Sequence, residues 1–200
     1  STIWGESYSR QELKDLRAHY VRYLQEIAEE GLLALHFVYS EGRFGEQYIS
    51  PVCQWLSKNG VVLNRRNYTS FYFVYALLNG PYRRLLFKDR SIAIVSSADQ
   101  EKRTKIAATL LAEGSTRVQF IGISATHAMT ETVDLNGLQT PVDVVLVAAG
   151  IGAANILVQL RPLNTVCIDG GICVECLAQP ARKKERIFLL SDEDTLEVMS

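Results

Sequence analysis

Apolar residues recur at helical spacing near the start of the chain. Leu13, Leu16, Tyr20, Leu24 and Ile27 follow a Ser9–Glu12 capping-box signature and stop at Gly31, which predicts a first helix. The pattern then tightens: residues 32–39 form a compact apolar run with β-branched and aromatic members, as a buried strand does, bounded by Ser40, Glu41 and Gly42. Ser50 and Pro51 open a short helix through Leu56 that Asn59-Gly60 closes, and Val61 to Leu63 reads as a returning strand. Residues 67–79 place Phe71, Val74, Tyr75 and Leu78 on one helical face.

From Ser91 the alternation becomes regular. A strand over Ile92–Val95 leads through a cap at Ser97 or Asp99 into a helix ending at Glu113, where Gly114 stops it. A strand over Val118–Ile123, a polar stretch to Pro141, a strand over Val144–Val147, a short helix from Gly152 to Leu160 and a strand over Thr165–Ile168 complete the series. Strands alternating with helices predict an α/β fold: a mainly parallel, Rossmann-like sheet with helices on both faces, in one domain spanning residues 1–200. The last twenty residues combine the basic run Arg182, Lys183, Lys184, Arg186 with a strand-like Ile187–Leu190 and an acidic end, and a partly mobile tail over 181–200 is expected.

Composition narrows the function classes. With 21 basic and 22 acidic residues the net charge is -1, so no global field draws the protein to nucleic acid or a membrane surface, and any anion site must be local. No apolar run is long enough to span a bilayer and no secretory signal opens the chain, which reads as cytoplasmic with no membrane span. Four unevenly spaced cysteines in 200 residues are expected to be reduced thiols. Cys173 and Cys176 form a Cys-x-x-Cys pair, but zinc would need a fourth ligand and a second knuckle, so buried thiols are the reading adopted. His19 falls on the first helix and His36 in a strand, leaving His127 as the histidine placed in a polar loop. The arginines and aromatics between Arg65 and Arg90 read as a solvated face around an aromatic core rather than a nucleic-acid patch, so no nucleic-acid partner is expected.

Two glycine-rich stretches carry candidate chemistry. Gly150, Gly152 and Asn155 lie between a strand and a helix, where backbone N–H groups could receive a phosphate, although Asn155 stands where a dinucleotide fingerprint has its third glycine. Asp169, Gly170 and Gly171, followed by Glu175, end the next strand in what reads as a flexible loop, and carboxylates there could bind a divalent cation or accept a proton. In open α/β sheets ligands gather at such strand ends.

These residues resemble the GT-D type glycosyltransferases, small bacterial α/β proteins. The resemblance is strongest from Val144 to Glu175, through the apolar strand, small-residue turn, short helix and Ile168-Asp169-Gly170-Gly171 with a following Glu, and extends loosely to Ser91–Glu113 and to the early loop. In the family that loop reads Arg-Phe-Gly-Asp-Gly-Glu and its Asp-x-Glu pair binds metal and sugar nucleotide. Here Arg43-Phe44-Gly45 matches, Glu46 stands at the Asp, and Tyr48 occupies the second acidic position; after the Asp-x-Gly unit, Ile172 stands where a histidine is common.

The resemblance implies transfer of a hexose from a nucleotide sugar such as UDP-glucose to a glycan or other hydroxyl acceptor. It implies Mn²⁺ or Mg²⁺ held by Glu41 or Glu46, diphosphate contact by Arg43, ligand approach at Gly150, Gly152, Asn155, Gly170 and Gly171, and Asp169 or Glu175 as base or ribose contact. Glu41 with Glu46, Glu46 with Asp169, arginine alone, or a loss of transfer activity are the alternatives that Tyr48 leaves open. A Rossmann-type binder of NAD(P) or S-adenosylmethionine and a non-catalytic nucleotide-binding or interaction module are the other classes compatible with the pattern.

Overall fold

A computed structural model describes residues 2–3, 6–35, 50–80 and 82–179, with backbone alone at 2–3, 6–7 and 71–72. The expected tail over 181–200, His36, and the loop carrying Glu41, Arg43, Glu46 and Tyr48 lie outside the described residues. A short antiparallel pair, β1 (Thr2–Ile3) and β2 (Glu6–Ser7), precedes the 21-residue helix α1 (Arg10–Glu30). Both capping-box bonds are present: Glu12 N–H donates to Ser9 Oγ at 3.1 Å, and Ser9 N–H donates to Glu12 Oε2 at 2.6 Å. The chain turns at Gly31 into β3 (Leu33–Leu35).

Helix α2 (Ser50–Lys58) follows, then β4 (Tyr68–Ser70), α3 (Phe71–Asn79) and α4 (Arg83–Phe87). Two expectations are corrected here. Val61–Leu63 is not a strand; Asn67, buried, donates from Nδ2 to Val62 O at 2.7 Å and to Ala28 O at 3.0 Å, while its Oδ1 accepts from Asn64 N–H at 2.7 Å. A side chain thus satisfies backbone groups that a ladder would otherwise have used. The helix expected from residue 67 starts at Phe71, because Tyr68–Ser70 pairs in parallel with β3. Aromatic and β-branched residues suit both states, and the available neighbour decided.

The second half holds the larger sheet, with β5 (Ser91–Ser96), α5 (Gln100–Ala112), β6 (Arg117–Gly122), β7 (Val144–Ala148), α6 (Ala153–Gln159), β8 (Val166–Asp169) and α7 (Ile172–Ala178) in chain order. Its four strands are all parallel in the order β6-β5-β7-β8. Every residue of β5 is buried. On one face Ile92, Ile94 and Leu146 pack against Ile106 and Leu110 of α5 and Val174 and Leu177 of α7. On the other, Ala93, Val95, Val145 and Val147 meet Ala153 and Ile156 of α6, with Ala128, Val133 and Val142 from the polar stretch. The fold is therefore α/β, with a parallel Rossmann-like sheet covered by helices on both faces, as the pattern predicted. Among the described residues, no helix is long and apolar enough to cross a membrane.

Candidate functional site

Asp169 ends β8 at the carboxyl edge of the parallel sheet. The two residues after it make a tight turn, because Gly170 N–H donates to Val147 O at 2.9 Å and Gly171 N–H to the same oxygen at 3.1 Å. Gly171 has φ 42°, a left-handed conformation that side chains disfavour, and a side chain on Gly170 would start 2.7 Å from Leu78 Cδ1. Gly171 is thus favoured by the turn itself, and Gly170 by its packing against the Leu78 and Val174 side chains. The expected flexible loop over Asp169–Glu175 is corrected to this turn plus α7, whose buried Cys173, Val174, Cys176 and Leu177 fall on one helix face. Cys-x-x-Cys is here the spacing of two core contacts; neither thiol is in a disulfide. Glu175 lies in the first turn of that helix and does not line the groove described next.

A groove of about 1140 Å³ runs beside β8, walled by β8, α1, β3, α2 and α3. Gly150, Gly170, Gly171 and Asp169 line it together, and Tyr20 of α1 joins them from the facing wall. Asp169 is open to the groove yet surrounded by protein on most sides, and burial pushes its carboxyl up to about 6. A hydrogen bond from Gly171 N–H to Asp169 Oδ1, at 3.1 Å, partly opposes that shift. Burial, with a smaller contribution from the Asp169 charge, raises the Tyr20 phenol, keeping it a proton donor. Burial also pushes the groove-lining Cys167 thiol up to about 11, so it is no ready nucleophile.

Gly152 and Asn155 lie apart from this groove. A side chain on Gly152 would begin 2.4 Å from Ala128 Cβ and 2.5 Å from Ala128 C, so this glycine serves close packing. Asn155 Nδ2 donates to Ala128 O and to Glu131 O, each at 2.9 Å, pinning the same loop. Gly150, with φ 53° and an exposed position, is the member of the turn open to a ligand.

Apart from Asp169, the charge in the groove leaves no mark in the sequence pattern. Among the described lining residues the acids are Glu26, Glu30 and Asp169 and the sole base is Arg161. Arg161 bridges to Glu26, at 3.0 Å from Nη1, and to Glu30. Tyr20 and Arg161 gave no sequence signal: Tyr20 occupies a core position in the helical repeat, and Arg161 meets its partners across 131 and 135 residues. No group of three or more His, Cys, Asp or Glu able to hold a metal occurs among the described residues. His127 sits in an exposed loop with Nδ1 2.8 Å from Thr126 Oγ1, away from the groove. Compared with family models, curated proteins and solved structures, the chain matches none.

Proposed function

We propose that the protein transfers a hexose from a nucleotide diphosphate sugar, with UDP-glucose as the model donor, to a hydroxyl of a glycan or similar acceptor. The observation that carries this reading is the placement of Asp169 at the carboxyl end of a parallel strand, lining a groove with Gly150 and Gly171, where burial pushes its carboxyl up to about 6. Such a group is matched to removing a hydroxyl proton. As the acceptor oxygen bonds to the anomeric carbon, its proton passes to Asp169 and the bond from that carbon to the diphosphate breaks. The leaving diphosphate gathers negative charge, which a cation must offset.

The described wall supplies only Arg161, already paired with two carboxylates. Arg43 and a Mn²⁺ or Mg²⁺ held by Glu41 or Glu46 are the counter-charges this reading calls for. A dinucleotide or S-adenosylmethionine reading is less favoured, because packing against Ala128 occupies the place of Gly152.

Asp169→Asn keeps the shape and removes the base. With UDP-glucose or GDP-mannose as donor and Mn²⁺ present, turnover should fall by about a hundredfold or more while donor binding, read by calorimetry, changes little. Wild-type turnover should rise as pH rises through about 6, where Asp169 ionises. Full turnover by the variant, or no heat of binding with either donor, would sink the reading and leave the non-catalytic module.

A further inference from the structure

The groove separates two strand edges. Parallel ladders alternate, each residue turning its N–H and C=O to one neighbour and the next residue to the other. Gly170 N–H donates to Val147 O, so Ile168 and Val166 face β7 while Cys167 and Asp169 turn their backbone groups into the groove. Leu33 N–H donates to Asn67 O, so Leu33 and Leu35 face β4 while Ala34 turns its N–H and C=O away from it. Ala34, Cys167 and Asp169 all line the groove.

The two strands also run the same way. α1, which packs on α6, runs opposite to β8: it passes from Tyr20, which senses the Asp169 charge, to Glu26 and Glu30, which hold Arg161 ahead of the start of β8. β3 then returns along α1, packing Leu33 and Leu35 with Leu24, Ile27 and Ala28. Edge strands are ordinarily blunted by charge, proline or bulges, whereas Leu33-Ala34-Leu35 and Val166-Cys167-Ile168 carry none of these. They read instead as inner strands of a doubly covered parallel sheet. Leu32 and Val166, at the starts of the two edges, are 51% and 56% exposed.

We propose that β3 and β8 of the free protein pair directly, closing the lower groove and joining the four strands and the two into one parallel sheet of order β6-β5-β7-β8-β3-β4. Ala34 sits opposite Ile168, the register that also sets Leu32 opposite Val166 and covers both. Ala34 N–H then donates to Cys167 O, and Asp169 N–H donates to Ala34 O. The Asp169 carboxylate stays at the carboxyl rim with Gly150 and Gly171. The pairing stands whether or not the transferase reading does.

Amide exchange followed by NMR on the full chain tests it without any ligand. Closure predicts that Ala34 and Asp169 exchange more than about a hundredfold slower than unstructured amides. Ala34→Pro removes the groove-facing N–H and spares the Leu33–Asn67 bond, so protection of Asp169 should be lost and the Tm should fall by about 3 °C. Exchange of Ala34 and Asp169 at nearly unstructured rates, with Leu146 still protected, overturns the proposal. So does protection of Asp169 that survives Ala34→Pro, since another segment would then cover the edge.

Discussion

The two sheets of this protein are built from similar residues and held very differently. In β5 and β7 apolar side chains on both faces are covered, by α5 and α7 on one side and by α6 with the 128–142 segment on the other. β3 and β4 form a two-stranded sheet whose core cluster, among the described residues, is Ala28, Leu33, Leu56 and Val61 with a few half-buried neighbours. Where the halves meet, α1 leans on α6 and Arg161 bridges to Glu26 and Glu30. Among the described residues, burial is thus deepest around β5 and β7, which Tyr75, Leu78 and Phe87 of α3 and α4 also join, and the groove lies at the seam with the less deeply buried β3–β4 pair. That is where a binding site gains from local opening.

Truncation in each half should break this comparison most sharply. Ile94→Ala, in the middle of the fully buried β5, should cost about 3 kcal/mol and lower the midpoint of global urea unfolding. Its mirror in the first half, Leu56→Ala, should raise exchange of the β3 and β4 amides more than those of β7; equal effects on both halves would show a single cooperative unit. Gly152→Ala comes next, at about 2 kcal/mol, because the added carbon meets the Ala128 backbone. If it instead leaves the melting curve unchanged and weakens nucleotide binding, the packing role assigned to Gly152 is wrong.

A pH effect sharpens the seam further. Asp169 holds a proton in the folded state that the unfolded chain releases, between the ordinary 3.8 and about 6. Stability from this group is therefore full below that window and is lost as pH rises through it. Asp169→Asn should remove that fall, seen as a flatter Tm-against-pH curve; an unchanged curve would place the carboxyl in open water. Arg161→Ala should have the smallest effect, about 0.5 kcal/mol and weaker in high salt, since all three side chains of the bridge are partly exposed.

Much of the fold was legible along the chain, and most clearly where local signals agreed. The capping box at Ser9, a cap at Ser97 or Asp99 that the structure resolves to Asp99, Gly114 after α5 and the apolar runs of β5 and β7 each carry their own physics within a few residues. The candidate site was legible only in part. Asp169, Gly150, Gly170 and Gly171 are legible as candidates because they stand at strand ends, and the groove brings them together. Gly152 and Asn155 shared that local pattern, but Ala128 and Glu131, more than twenty residues away, draw them into packing and a loop anchor.

What the sequence determined by itself is the series of elements, because periodicity, caps and glycine stops act over a few residues. Tertiary structure decided which elements became neighbours and what their side chains then met. It made a strand of Tyr68–Ser70 because β3 lay alongside, and a helix of Ile172–Ala178 because four of its residues had a core to enter. It also raised the Asp169 carboxyl toward neutrality, since desolvation depends on every atom that surrounds a group, however distant in the chain.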